Sequence, residues 1–220
     1  MTRRSIRIRL ALALLCLCAL PALFWAALGF SLPTPELAFG RMARQHMAGD
    51  APIVAQGELS VADDSYYTAH QARWLVARQG GRFLCAGVQK TFWFLWKPSQ
   101  DTFSRFQATP VLDRERPLYL WTVHTGADFD QEHRNYLSVA CCGDPDVVRV
   151  ELTRAQLPHT GGGGLDQYGV TVSAAETSPG SGVFEFRHTV PNQPGQNGGY
   201  LSYRLRGYDA QGALVYELVV

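Results

Sequence analysis

Val148-Arg149-Val150-Glu151-Leu152-Thr153 decides the fold. Val148, Val150 and Leu152 alternate with Arg149, Glu151 and Thr153. Successive side chains of an extended chain point to opposite faces, so this is a strand with one dry and one wet face. Downstream the same period recurs. Phe184 and Phe186 alternate with Glu185 and Arg187, and His188 continues the aromatic phase. Leu201, Tyr203 and Leu205 then alternate with Ser202, Arg204 and Arg206. Asp209-Ala210-Gln211-Gly212 is a turn, and Leu214, Tyr216 and Leu218 return to close a hairpin.

Upstream, residues 73–78 and 82–88 form a second hairpin around Gly80-Gly81. Further strands are expected at 53–61, 91–97, 118–124, 136–142 and 170–174. That makes roughly nine or ten short strands, and no helical pattern is long enough to cross between parallel neighbours. The expectation is an all-β domain over residues 51–220, packed as an antiparallel two-sheet β-sandwich. Gly161-Gly162-Gly163-Gly164 and residues 192–199 read as loops. The four glycines lack the Gly-Lys-Ser/Thr continuation of a phosphate cradle.

The N-terminal part follows other rules. Residues 10–32, LALALLCLCALPALFWAALGFSL, carry no charge. As a helix rising ~1.5 Å per residue, that run spans a hydrocarbon core of about 30 Å. Arg3, Arg4, Arg7 and Arg9 precede it within the basic segment 1–9, and no acidic residue occurs before Glu36. The positive-inside bias therefore places the N-terminus in the cytoplasm and the chain beyond residue 32 outside. Length favours a retained signal-anchor over a cleaved signal peptide; Ala27-Leu28-Gly29 marks the alternative, secretion after cleavage near Gly29. Arg3-Arg4 ahead of the run also resembles a weak twin-arginine export signal. Within 33–50, Thr34-Pro35-Glu36 starts a short juxtamembrane helix and Gly49 stops it.

Chain composition sets limits on partners. Without the four leading arginines, 16 basic residues face 19 acidic ones. Such a body does not attract phosphate backbones, so nucleic acid is no partner. The expected partners are the membrane, through residues 10–32, and an envelope protein or glycan.

Candidate chemistry is sparse. His124, Asp128, Asp130 and His133 fall within ten residues and could converge on zinc or another divalent ion. The simpler reading is a solvated polar turn, and no cofactor is expected. Phe92-Trp93-Phe94-Leu95-Trp96 is an unbroken apolar strand. Buried on both faces it is core; with one face exposed, Phe92, Phe94 and Trp96 form a binding platform. Outside the apolar run stand Cys85, Cys141 and Cys142. Buried thiols are the first expectation, and a cross-strand disulfide of Cys85 with Cys141 or Cys142 the second. The vicinal pair lacks the spacer of a redox motif. No nucleophile elbow is present, and none of the six histidines sits in a context that identifies a triad.

The layout, carried by residues 41–59, the hairpin 74–88, 117–122 and 144–152, resembles small bacterial envelope proteins. Those combine an N-terminal span, a short helix and a β-rich exported domain. The resemblance implies no activity and no functional residues. The expected function is binding or envelope structure rather than catalysis. A metal-dependent hydrolase around His124, Asp128, Asp130 and His133 is the alternative.

Overall fold

The computed structural model describes residues 13–21, 23, 25, 31–59, 72–92, 94–99, 105–127, 133–157, 164–191 and 200–220. The elements beyond residue 31 are α1 (Pro35–Gln45), β1 (Ile53–Leu59), β2 (Ala72–Gln79), β3 (Arg82–Phe92), β4 (Leu95–Pro98) and β5 (Gln107–Ala108). Then follow β6 (Leu118–Ala127), β7 (His133–Cys142), β8 (Arg149–Leu157), α2 (Leu165–Tyr168), β9 (Val170–Ala175), β10 (Val183–Pro191), β11 (Tyr200–Tyr208) and β12 (Leu214–Val219). Every pairing among these strands is antiparallel. The domain is all-β.

The strands make three sheets, not the two the alternations suggest. The first runs β1-β2-β3-β4, with β5 also on β3; the second runs β10-β7-β6; the third runs β12-β11-β8-β9. Trp74, Val76, Phe83 and Cys85 of the first sheet pack against Trp121, Leu137, Val139 and Cys141 of the second. On its other face the second sheet presents Leu118, Ala140, Phe184 and Phe186 to Val150, Leu152 and Leu205 of the third. Helix α1 covers the far side of the first sheet, setting Ala38, Phe39, Met42 and Ala43 on Leu75, Leu84, Val88 and Trp96. The layers are thus helix, sheet, sheet, sheet.

The reason lies in β7. Tyr136-Leu137-Ser138-Val139-Ala140-Cys141-Cys142 carries no charge in either phase, and all seven residues are buried. A strand without a wet face needs cover on both sides, which one partner sheet cannot supply.

Local chemistry explains the ends. Thr34 caps α1, its Oγ1 accepting from the Leu37 N–H at 3.2 Å, with Pro35 in the first turn. The β2–β3 hairpin turns on Gly80, whose φ of 59° is open to glycine at little cost. At the β11–β12 turn the Asp209 carboxylate accepts from the Gln211 and Ala213 N–H groups.

One expected strand is broken. The run 92–96 is not continuous: β3 ends at Phe92, the chain turns at Phe94, and Phe92 pairs with Leu95 at the start of β4. A continued strand would carry Trp96 past the end of β2 and away from α1. The reversal instead seats Trp96 in the α1 cluster. It also lets Trp96 bridge Leu32 through two backbone hydrogen bonds of 2.7 and 2.6 Å. Residues 13–21, 23 and 25 are helical. Among the described residues, no helix is long and apolar enough to cross a membrane.

Candidate functional site

Three alternations converge between the second and third sheets. On β8 the inward phase runs Val150, Leu152, Arg154, and β11 pairs Leu205 with Leu152 and Tyr203 with Arg154. On β10 the phase Phe184, Phe186, His188 pairs with Ala140, Ser138 and Tyr136 of β7. Thr122 of β6 pairs with Ser138 from the other side. The apolar end of this interface is ordinary core. Its other end holds Arg154, His188, Tyr136, Tyr203, Ser138 and Thr122.

Arg154 is 5% exposed. Its Nη1 donates to Thr122 Oγ1 at 3.2 Å and to Ser138 Oγ at 3.3 Å, and those two hydroxyls lie 3.3 Å apart. Its Cζ stands 4.0 Å over the Tyr136 ring. Its buried Nε has no hydrogen-bond partner among the described residues. Among the described residues no carboxylate pairs with it, and the groups that act on it electrostatically are the Tyr136 and Tyr203 phenols. Burial pushes its pKa down from the ordinary guanidinium value. A guanidinium keeps its charge regardless.

His188 is 7% exposed and stacks on the same tyrosine, ring centroids 5.6 Å apart and planes 21° apart. Among the described residues neither ring nitrogen meets a partner in good hydrogen-bond geometry, the Phe186 backbone making only a weak contact with the ring. Burial first, then the Arg154 charge, lower its pKa to about 4, against an opposing pull from the Phe186 backbone. The imidazole is therefore neutral at physiological pH. Burial also raises the Tyr203 phenol, with Arg154 opposing. The cluster is thus one fixed positive charge on an aromatic floor, flanked by neutral donors and acceptors.

The residues singled out from sequence fall elsewhere. His124 and His133 lie on β6 and β7, in register with Tyr136 and Pro191, while Asp128 and Asp130 lie outside the described residues. Among the described residues no three His, Cys, Asp or Glu side chains could hold a metal. Phe94 is 60% exposed whereas Trp96 is buried against α1; the Phe92 side chain lies outside the described residues. Cys85 and Cys141 do come together: their Sγ atoms are 3.7 Å apart between the first and second sheets, as free thiols. Burial is the first cause that raises the Cys141 thiol well above its ordinary pKa and the Cys142 thiol to about 11.

Sequence reasoning passed over Arg154. The signal was the alternation itself: two residues beyond Leu152, a guanidinium occupies the dry phase. The chain matches no family model, no curated protein and no solved structure. The site stands on its geometry.

Proposed function

We propose that this chain is a membrane-tethered binding domain held outside the cytoplasm, with its ligand site around Arg154. The observation that carries the binding half is a buried guanidinium with no carboxylate beside it among the described residues. An ion removed from water and left unpaired opposes folding by several kcal/mol. His188 adds ring nitrogens that no side chain among the described residues satisfies, stacked on the same Tyr136. Side chains that oppose folding gather where a ligand offsets them.

The tethering half rests on the uncharged run 10–32 behind four arginines. The backbone bridge from Leu32 to Trp96 starts the folded domain where that run ends.

A phosphatase that folds only outside the cytoplasm, fused after Val220, tests the tether. Activity on intact cells, retained in carbonate-washed membranes, is the expected result. Inactive fusion, or active fusion released to the medium, overturns it. The metal-dependent hydrolase around His124, Asp128, Asp130 and His133 is the competing class, and β6 and β7 pair up to Ala127 and Arg134 beside it. Elemental analysis of the full chain decides it: about one zinc per chain carries that class, and none removes it.

A further inference from the structure

We infer that the Arg154 site takes a small monoanion, a single carboxylate carried on an apolar or aromatic body. The inference rests on the binding function proposed above and names the ligand class.

Charge comes first. Among the described residues the cluster offers one cation, Arg154, while His188 is neutral and no lysine or second arginine hydrogen-bonds within it. One guanidinium balances one carboxylate; a phosphate dianion would leave a surplus negative charge that no further cation among the described residues offsets.

Donor geometry comes second. Both hydrogen bonds of the guanidinium leave from Nη1, so Thr122 and Ser138 fix the plane of the fork from one side. Among the described residues the Nε side carries no bond. A carboxylate meets a guanidinium through two parallel N–H···O bonds, and the Nε edge is one of the edges that offers such a pair. A neutral imidazole contributes one N–H and one lone pair. Since His188 and Arg154 both lie against Tyr136, the ligand's polar end has a second neutral partner within the same cluster.

The surroundings supply the third point. Tyr136 and Phe186 are buried, and Tyr203 pairs with Arg154 across the strands. Aromatic neighbours favour an apolar body behind the carboxylate over a hydrated one. The cluster also sits at the rim of the sheet stack. Arg154 is three residues from the end of β8 at Leu157, and His188 three from the end of β10 at Pro191.

The test uses the full chain in detergent micelles with ¹⁵N-labelled arginine. The Arg154 Nε–Hε resonance is assigned by its loss in Arg154→Lys. Benzoate is the probe, with neutral benzamide and inorganic phosphate as controls. The expected result is a saturable shift of the Arg154 resonance with benzoate and none with either control. Arg154→Lys keeps the charge but loses the fork, and weakens benzoate binding about tenfold or more, read from the melting-temperature rise. A shift with phosphate but not benzoate overturns the carboxylate class and leaves anion binding standing. If neither probe moves the resonance, while Arg154→Met still folds and melts higher, both the class and the binding function fall.

Discussion

Tyr136 carries a guanidinium over its ring and an imidazole stacked on it, and among the described residues no acid stands beside either. His188 has a pKa of about 4 in the folded chain against an ordinary 6.5. A lowered histidine pKa means the unfolded chain binds the proton first. Its contribution to stability is therefore complete above pH 6.5 and is lost as pH falls from 6.5 towards 4. The loss is on the order of 3 kcal/mol, at ~1.4 kcal/mol per pKa unit. Urea unfolding at pH 7 and pH 5, which spans only the upper part of that window, should show a loss of about 2 kcal/mol in the native chain and not in His188→Phe. Equal pH dependence in the two chains would contradict it.

Arg154→Met should raise the stability of the unliganded protein by roughly 1–3 kcal/mol, because an apolar side chain of similar length removes a buried charge. Thr122 and Ser138 retain their mutual hydrogen bond. A fall in melting temperature would mark Arg154 as purely structural. The sequence carried this residue in plain view: Val150, Leu152 and Arg154 share one phase. What it does not carry is which hydroxyls meet the guanidinium, because Thr122 and Ser138 lie 32 and 16 residues away on other strands.

Strand ends and close approaches set the next scale. Gly57 of β1 pairs with Trp74 of β2, and a Cβ at that glycine would stand 2.5 Å from the indole Nε1. Trp74 is fully buried, so it cannot swing into solvent. Gly57→Ala should cost about 1–3 kcal/mol by overpacking. Combining it with Trp74→Leu should cost less than the two changes summed, because the second makes room for the first. Additive melting-temperature losses would refute the contact.

Cys85 and Cys141 tie β3 of the first sheet to β7 of the second and lie 56 residues apart in sequence. If the domain is held in an oxidising compartment, their sulfurs should bond on a short approach. Loop closure of that length stabilises by ~4 kcal/mol in the chain-entropy account. Intact mass of protein taken from cells with thiols blocked reads the result: a fully blockable pair argues against export. The pairing of these cysteines was legible only as one of two options, since Cys141 and Cys142 are adjacent. The alternation of β7 settles which neighbour faces the first sheet: Cys141 points to Cys85 and Cys142 to the third sheet.

At the scale of the molecule, hairpins and period-two strands were readable because they rest on neighbours in sequence. Layer number was not. The apolar run 136–142 reads as a strand in isolation, yet its lack of any wet phase already requires a sheet on each side. The run 92–96 misled for the opposite reason: five apolar residues look like one buried strand, while the position of α1 bends them back.

During synthesis the covered middle sheet is completed late, which predicts an order of assembly. All strands of the first sheet precede β6, and β6 and β7 form a local hairpin that can dock on it at once. The third strand, β10, arrives only after β8 and β9 have been made, and the last strands of the outer sheet follow it. Until then one face of the β6–β7 hairpin has no cover, a stage at which chains are prone to aggregate. Non-local pairing of this kind slows folding. Val139→Ala in β7 should therefore lower the refolding rate, whereas Leu218→Ala in β12 should chiefly speed unfolding, as stopped-flow chevrons would report. The layer that makes the fold stable is the one that makes it late.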